Sequence, residues 1–318
     1  VRTWEKITTF DLGLEARFLN NQLSMELGYF NRCSWDISGP PTPLPAVLGA
    51  NAPSVNNAEL VTKGFEAQLS WRDKITSRLD YSIGLNLADA TTEVTKYNAT
   101  SKSLDSNKWY AGKKFGDIWG YEVDGLLTKD DFDANGKLLI DQSKIHANWY
   151  PGDIKYKDLD GDGKITPGNS TADEPGDRRI IGNSTPRFRY GINLALGYEF
   201  EKAGRLDLSM FFQGSVGNDI FNGNLMEQKM VEVSNITQEA YDTRWTPDNY
   251  ENAKWPKPTE NMSRQLQVSD RFVEDGSYLR LKSLNVEYKF RSPVKFVNSL
   301  TVGVTMTNLF TISNYSWY

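Results

Sequence analysis

The chain has 318 residues, 39% of them hydrophobic and 12% aromatic, with 36 Lys and Arg against 41 Asp and Glu. A net charge of −5 provides no basic field for nucleic acid, and no run of about 18 apolar residues offers a membrane-spanning helix. A single cysteine, Cys33, and a single histidine, His146, exclude an internal disulfide and a histidine-based metal centre. Cys33 reads as a small half-buried residue at a strand end, and His146 as part of a polar loop, HANWYPGD.

The first predicted strand alternates Phe10, Leu12, Leu14, Ala16 and Phe18 with Asp11, Gly13, Glu15 and Arg17, the period of two that gives a strand one apolar face. Residues 19–22 turn the chain into a second, whose apolar face is Leu23, Met25, Leu27 and Tyr29, so the two form a hairpin. Phe65, Ala67, Leu69 and Trp71, then Leu79, Tyr81, Ile83, Leu85 and Leu87, make a second hairpin. A third runs from Phe188, Tyr190, Ile192, Leu194, Leu196, Tyr198 and Phe200 into Leu206, Leu208, Met210 and Phe212. Leu284, Val286, Tyr288 and Phe290, a linker around Pro293, and Leu300, Val302, Val304, Met306 and Phe310 complete eight strands.

Short connections (19–22, 73–77, 201–205, 291–299) alternate with long ones (38–62, 91–187, 215–277), so every long connection falls on one side. Short periplasmic turns, long extracellular loops and strands with one apolar and one polar face are the pattern of a transmembrane antiparallel β-barrel. Trp71, Tyr81, Tyr198 and Phe200 flank the short turns as an interfacial aromatic belt would. The opposite face carries Gly28, Gly84, Gly191, Gly197 and Gly303 among polar residues, which predicts a wet lumen. Both ends, at Val1 and at NLFTISNYSWY, read as cut from inside a larger repeating architecture.

The 91–187 connection contains DLDGDGKIT, the first half of a calcium loop. Asp158, Asp160 and Asp162 stand at positions 1, 3 and 5, Gly163 permits the sharp turn, and the Lys164 carbonyl falls at position 7. Position 12 is Asn169 rather than Glu, so either the site is degenerate or the closing carboxylate comes from Asp173, Glu174 or Asp177, with Asp177 preferred. The expected ion is Ca²⁺, with Mg²⁺ second; the competing reading is a run of solvated Asx-turns. Trp109, Tyr110, Trp119, Trp149, Tyr150, Trp245 and Trp255 in the long loops are suited either to stacking on sugar rings, to gripping peptide side chains, or to local packing. Acidic residues are scattered and no G-x-S-x-G motif occurs, so no enzyme is expected.

PGDIKYKDLDGDGKI, RRIIGNSTPRFRYGINLALGYEF, LDLSMFFQGSVGNDIFN, SYLRLKSLNVEYKF and LTVGVTMTNLFTISNY, with TTFDLGLEARFLNNQLSMELGYFNR, PTPLPAVLGANAP and NNAELVTKGFEAQLSWRD before them, resemble the C-terminal barrel region of SusC/RagA-family TonB-dependent outer-membrane transporters. The resemblance implies that residues 1–318 are part of a plugged barrel of about 22 strands, with the plug domain, the TonB box and the last strand outside this sequence. It further implies TonB-energised uptake of glycans or oligopeptides at the cell outer membrane, with a SusD-like surface lipoprotein as lid. One departure is PGNSTADEPG, interposed before Asp177 and Arg178 where the family closes its acidic loop sooner. Two other readings are a surface barrel that binds or adheres without transport and a soluble β-rich glycan-binding protein. Segregated loop lengths argue against the soluble protein; a plug upstream of Val1 separates the transporter from the adhesin.

Overall fold

A computed structural model describes residues 3–39, 47, 49, 55–201, 203–225, 236–258, 263–294 and 296–316. The PTPLPAVLGANAP segment lies almost wholly outside them. Eight antiparallel strands form one sheet: β1 (Lys6–Phe18), β2 (Leu23–Ser38), β3 (Asn56–Thr76), β4 (Leu79–Tyr97), β9 (Phe188–Phe200), β10 (Gly204–Val216), β13 (Tyr278–Val294) and β14 (Val297–Ser313), in that order across the sheet. All eight predicted strands are present, each beside its hairpin partner. The sheet is open, with β1 and β14 at its edges. In the long connections lie three two-stranded ribbons: β5 (Asp117–Tyr121) with β8 (Arg178–Asn183), β6 (Val123–Leu126) with β7 (Ile154–Tyr156), and β11 (Asp219–Phe221) with β12 (Val273–Asp275).

Several strands are longer than alternation predicts. β2, β3 and β4 have 16, 21 and 19 residues, against about 9 to 11 for a strand that only crosses hydrocarbon. Most of their extra residues lie at the loop end, where pairing continues across register shifts at Ser34/Ile37 and Glu59/Leu60; β3 also runs on at the turn end to Thr76. The last turn is also shorter than expected: β13 runs to Val294 and β14 starts at Val297. The register slips between Arg291 and Val294, around Pro293, whose nitrogen has no hydrogen to give the ladder. At the first turn, Leu19, Asn20 and Asn21 all have positive φ, near 53°, 54° and 67°; asparagine tolerates this region well, leucine less so.

The sheet leaves its apolar face bare. On the edge strands Phe10, Leu12 and Val304 are 60%, 63% and 58% exposed, and on the inner strands Leu27, Leu69, Leu85 and Leu196 are about 40% exposed. A continuous apolar surface of this extent has no place against water; lipid is the solvent that suits it. At the turn end this face carries a belt of aromatics. Trp71 donates its indole N–H to the Tyr81 hydroxyl at 2.9 Å, and Tyr198 packs on Phe200 at 4.7 Å. Tyr288 and Phe290 extend the belt, with rings 4.6 Å apart.

The other face is polar and concave. Register aligns Glu26, Gln68, Asn86, Gly191 and Gln213 across five strands, and they line a trough of about 870 Å³ with Glu15, Glu66 and Arg189. Near the turns, Asp80, Gly197 and Asp207 stand in one row. Arg205 spans it, donating through Nη2 to both Asp80 oxygens and through Nε to Asp207, each at 2.7 Å. Its guanidinium occupies the space over Gly197, where a Cβ would lie 2.7 Å from Asp80 Oδ2. Glycine at 197 is what lets this charge network close.

Candidate functional site

The apolar core of the molecule is in the loops. Tyr121, Leu127, Trp149, Ile154, Tyr156 and Ile165 from the connection after β4 pack with Phe272 from the connection after β10. The two connections thereby form one cap at the loop end of the sheet. Backbone bonds stitch them: Tyr121 N–H donates to the Val268 carbonyl at 2.9 Å, and Val123 N–H to Asp270 Oδ1 at 3.0 Å. Deeper, fully buried Asp153 lies 2.9 Å from Arg264 Nε and accepts from the Gln265 amide and the Tyr150 N–H, each at 2.9 Å. Gln142, also buried, takes the Tyr156 N–H on its side-chain oxygen at 2.7 Å and gives its amide to the Ile154 carbonyl. Asp153 and Gln142 are tolerable in the core because they are paired, although Gln265 Oε1 and Arg264 Nε have no hydrogen bond among the described residues.

The acidic loop begins directly after β7. Asp158 accepts from the Gly161 and Gly163 N–H groups at 2.7 and 2.8 Å, a wrap that needs Gly163 at φ 81°. Asp177 accepts from Leu159 N–H at 2.9 Å and Thr166 N–H at 2.6 Å, one on each side of the loop. Carboxylate oxygens of Asp158, Asp160 and Asp177 lie within 4.8 Å of one another. Asp162 is not in that group; its Oδ1 accepts the Lys164 N–H at 2.8 Å. Lys164 lies between two backbone bonds to Asp141, one through Gly163 and one through core residue Ile165.

The interposed residues do not carry Asp177 away. Asn169, at position 12, bonds Glu174 through its backbone N–H at 2.9 Å and also through its side chain, and Asp173 pairs with Lys102 at 2.6 Å. The segment 167–176 therefore closes on itself, and Asp177 N–H returns to the Thr166 carbonyl at 3.0 Å. Of the three closing carboxylates considered from sequence, only Asp177 reaches the loop.

Burial pushes the Asp177 carboxyl above the usual range, and the neighbouring Asp160 and Asp158 charges add to this against the Thr166 and Leu159 N–H groups. Burial acts on Asp158 too, but the Gly163, Gly161 and Asp162 N–H groups outweigh it and hold that carboxyl low. Three carboxylates converging within 4.8 Å of one another are an oxygen donor set that a hard divalent cation would satisfy.

Most loop aromatics are structural. Trp109 meets Phe115 edge-on at 5.5 Å, Trp149 is in the core, Trp245 packs over Gly152, and Arg271 lies 4.9 Å from the Trp255 ring centroid. Tyr150 is about half exposed, beneath Arg264. Trp119 differs in lining a cavity of about 370 Å³ with Arg178 and Gln267. His146 takes the Asn148 N–H on Nδ1 at 3.1 Å, as a turn residue, and Cys33 is half-buried on β2. Asp153, Arg264, Arg178 and Gln267 carry no motif; only folding brings them together.

The family described as TonB dependent receptor-like, beta-barrel matches residues 3–309. The chain is 30% identical over 328 residues to TonB-dependent receptor P3 of Formosa agariphila, covering 98% of this chain and 30% of that protein. It is 23% identical over 321 residues to TonB-dependent receptor SusC of Bacteroides thetaiotaomicron, covering 98% and 29%. The structure of the RagAB peptide importer in its open-open state superposes with a TM-score of 0.73 at 21% identity, over 98% of this chain and 32% of that one. The chain thus spans about three-tenths of the length of these curated relatives. The relatives are named as receptors and transporters, not enzymes. The bare apolar face, the polar trough and the loops gathered at one end agree with the match: this chain belongs to the TonB-dependent receptor β-barrel family.

Proposed function

We propose that the chain is part of an outer-membrane importer of polar oligomers, oligosaccharide or peptide, energised through TonB and served by a SusD-like surface lipoprotein. The observation that carries this reading is the eight-stranded sheet with an apolar face bare to its surroundings, a polar trough behind it and every long connection at one end. The lipid-facing side holds the wall in the bilayer, while Glu26, Gln68, Asn86 and Gln213 keep the path hydrated. The cap meets cargo and lipoprotein outside; the short turns face the periplasm. A RagAB relative named as a peptide transporter supports cargo of oligomer size.

Topology tests the reading in the full-length receptor carrying Cys33→Ser. Lys137→Cys should react with an impermeant maleimide on intact cells, and Ala203→Cys only after the outer membrane is opened. Strong labelling of Ala203→Cys from outside refutes the orientation. Uptake that persists in cells lacking TonB refutes the energy source.

The acidic loop, in the same proposal, holds one Ca²⁺ through Asp158, Asp160, Asp177 and the Lys164 carbonyl. Asp162 joins by turning from the Lys164 N–H. Mg²⁺ suits the site less, because it demands near-octahedral geometry at about 2.0 to 2.1 Å. The ion's task is to neutralise the three carboxylates and pin residues 158–177 to the cap core through Ile165. Asp160→Ala, or chelation of the wild type, should make this loop protease-sensitive while the barrel stays folded. A receptor with no divalent ion by metal analysis, and proteolysis unchanged by chelator, refutes the site.

A further inference from the structure

We propose that the cap cavity beside the inserted segment is a binding site for a neutral pyranose unit of an oligosaccharide. The inference rests on the import reading and names its cargo class. The cavity measures about 370 Å³ and is walled by Asp105, Trp119, Tyr121, Ser170, Arg178 and Gln267, a volume at the small end of ligand pockets.

Four stretches of chain build it, residues 103–105 among them. One wall is strand β5, with Trp119 and Tyr121. A second is the residue pair Gln267 and Val268 from the other long connection, fixed by the bond from Tyr121 N–H to the Val268 carbonyl. Gly120 makes this approach feasible, since a Cβ there would lie 2.6 Å from the Val268 oxygen. The third wall is the segment 167–176, which the calcium-loop pattern does not require. It docks on residues 102–105 through the Leu104 N–H to Ser170 carbonyl bond at 2.9 Å and the Ala172 N–H to Lys102 carbonyl bond at 2.7 Å. Ser170 is held at φ 58°, a region that non-glycine residues enter only when their surroundings enforce it. Its hydroxyl accepts from Arg178 Nη2 at 2.9 Å, which anchors the guanidinium in the wall. The insertion and the acidic loop it interrupts thus position two of the nine lining residues, Ser170 and Arg178.

The chemistry of the lining selects the ligand. One carboxylate and one guanidinium sum to no net charge. Asp105 uses Oδ1 on the Asn107 N–H, Arg178 uses Nη2 and Nε on neighbouring oxygens, and Gln267 gives its amide N–H to the Ser263 carbonyl. Asp105 Oδ2, Arg178 Nη1 and the Gln267 side-chain oxygen have no hydrogen bond to another described residue. Two acceptors and a fixed planar donor beside an indole are what adjacent hydroxyls and the C–H face of a sugar ring need. A peptide strand would instead look for unpaired backbone edges, and here the Ser170 and Val268 carbonyls already have partners.

The test uses the purified full-length receptor with its lipoprotein and, as probes, maltohexaose, cellohexaose, mannohexaose and xylohexaose, followed by calorimetry and tryptophan fluorescence. At least one hexasaccharide should bind. Trp119→Ala should weaken it about tenfold, Gln267→Ala about fivefold, and Trp119→Phe only about threefold, with the cap's protease resistance unchanged in each. No binding by any of the four overturns the proposal, as does equal affinity in Trp119→Ala. Binding of a mixed tryptic peptide pool that Trp119→Ala abolishes, without sugar binding, overturns the ligand class. TonB-dependent uptake that survives any of these failures leaves the import reading standing and removes only this one.

Discussion

Arg264→Ala is expected to cost the cap about 3 to 5 kcal/mol, the size of effect that follows when one partner of a buried ion pair is removed. Arg264 and Asp153 have 6% and 0% of their side-chain surface exposed, so the variant leaves Asp153 buried without its nearest counter-charge, with only the field of Lys257 to favour its ionised form. The Gln265 and Tyr150 N–H groups remain, which is why the cap should loosen rather than the whole receptor unfold. Limited proteolysis and hydrogen exchange should show residues 121–156 and 263–273 opening together, because both connections depend on this pair, with the barrel strands still protected. Opening of one connection alone would show that the pair does not join them.

The pH dependence has a definite sign. Burial pushes the Asp153 carboxyl up, and the Tyr150 N–H and Arg264 only partly offset it. A carboxyl with a folded pKa above its unfolded one binds its proton more tightly in the folded state, so stability is fully present below the unfolded pKa and falls as pH rises through the folded one. Arg264→Ala removes the offset and enlarges the effect. The variant cap should therefore be more protease-resistant at mildly acidic pH than at alkaline pH, by a wider margin than the wild type. A variant that loses resistance on acidification contradicts the assignment of burial as the dominant cause.

Leu194→Arg should destabilise the barrel by about 2 to 4 kcal/mol, and Asn193→Arg by far less. Leu194 is at the middle of β9, beside Ile83 on β4 and Met210 on β10, all on the bare apolar face. An arginine there meets hydrocarbon at the depth where its charge is most costly. Asn193 is one residue along and on the other side, exposed, opposite Gly84 and Phe211. Unfolding of the full receptor in lipid vesicles, followed by heat-modified gel mobility, measures the difference. Equal costs would mean that both faces are buried and that the open sheet packs against something other than lipid.

These two variants probe features that differ in how far they could be read in the sequence. Alternation alone gave the eight strands, their hairpin partners, the outward face of Leu194 and the end to which the long connections belong. Each of these is a local property, since successive side chains in a strand point to opposite faces. The acidic loop was equally visible, because its carboxylates stand at fixed spacing, and the fold brings Asp177, the favoured closing residue, beside Asp158 and Asp160. The loop ends of β2, β3 and β4 were missed: on β2 Cys33, Trp35 and Ile37 still alternate with Ser34 and Asp36, whereas on β4 Asp89, Thr91 and Glu93 break the apolar face although the ladder continues. The departure of Asp162 from the carboxylate group was also missed, because the Lys164 N–H that holds it is a matter of turn geometry.

The cap lay beyond any sequence pattern. Val123 bonds Asp270 across 147 residues, and Gln265 reaches Asp153 across 112. Contacts of that span leave no periodicity, since neither partner's neighbours indicate where the other will be. The cavity is the extreme case, with walls drawn from four stretches of chain, one of them an insertion that from sequence alone looked like an interruption of the metal loop. The sequence by itself determined the membrane wall, because lipid and lumen impose a period of two on every strand. Only the tertiary structure decided the cap, because its core, its buried ion pair and its cavity come from side chains that meet when two long connections fold against each other.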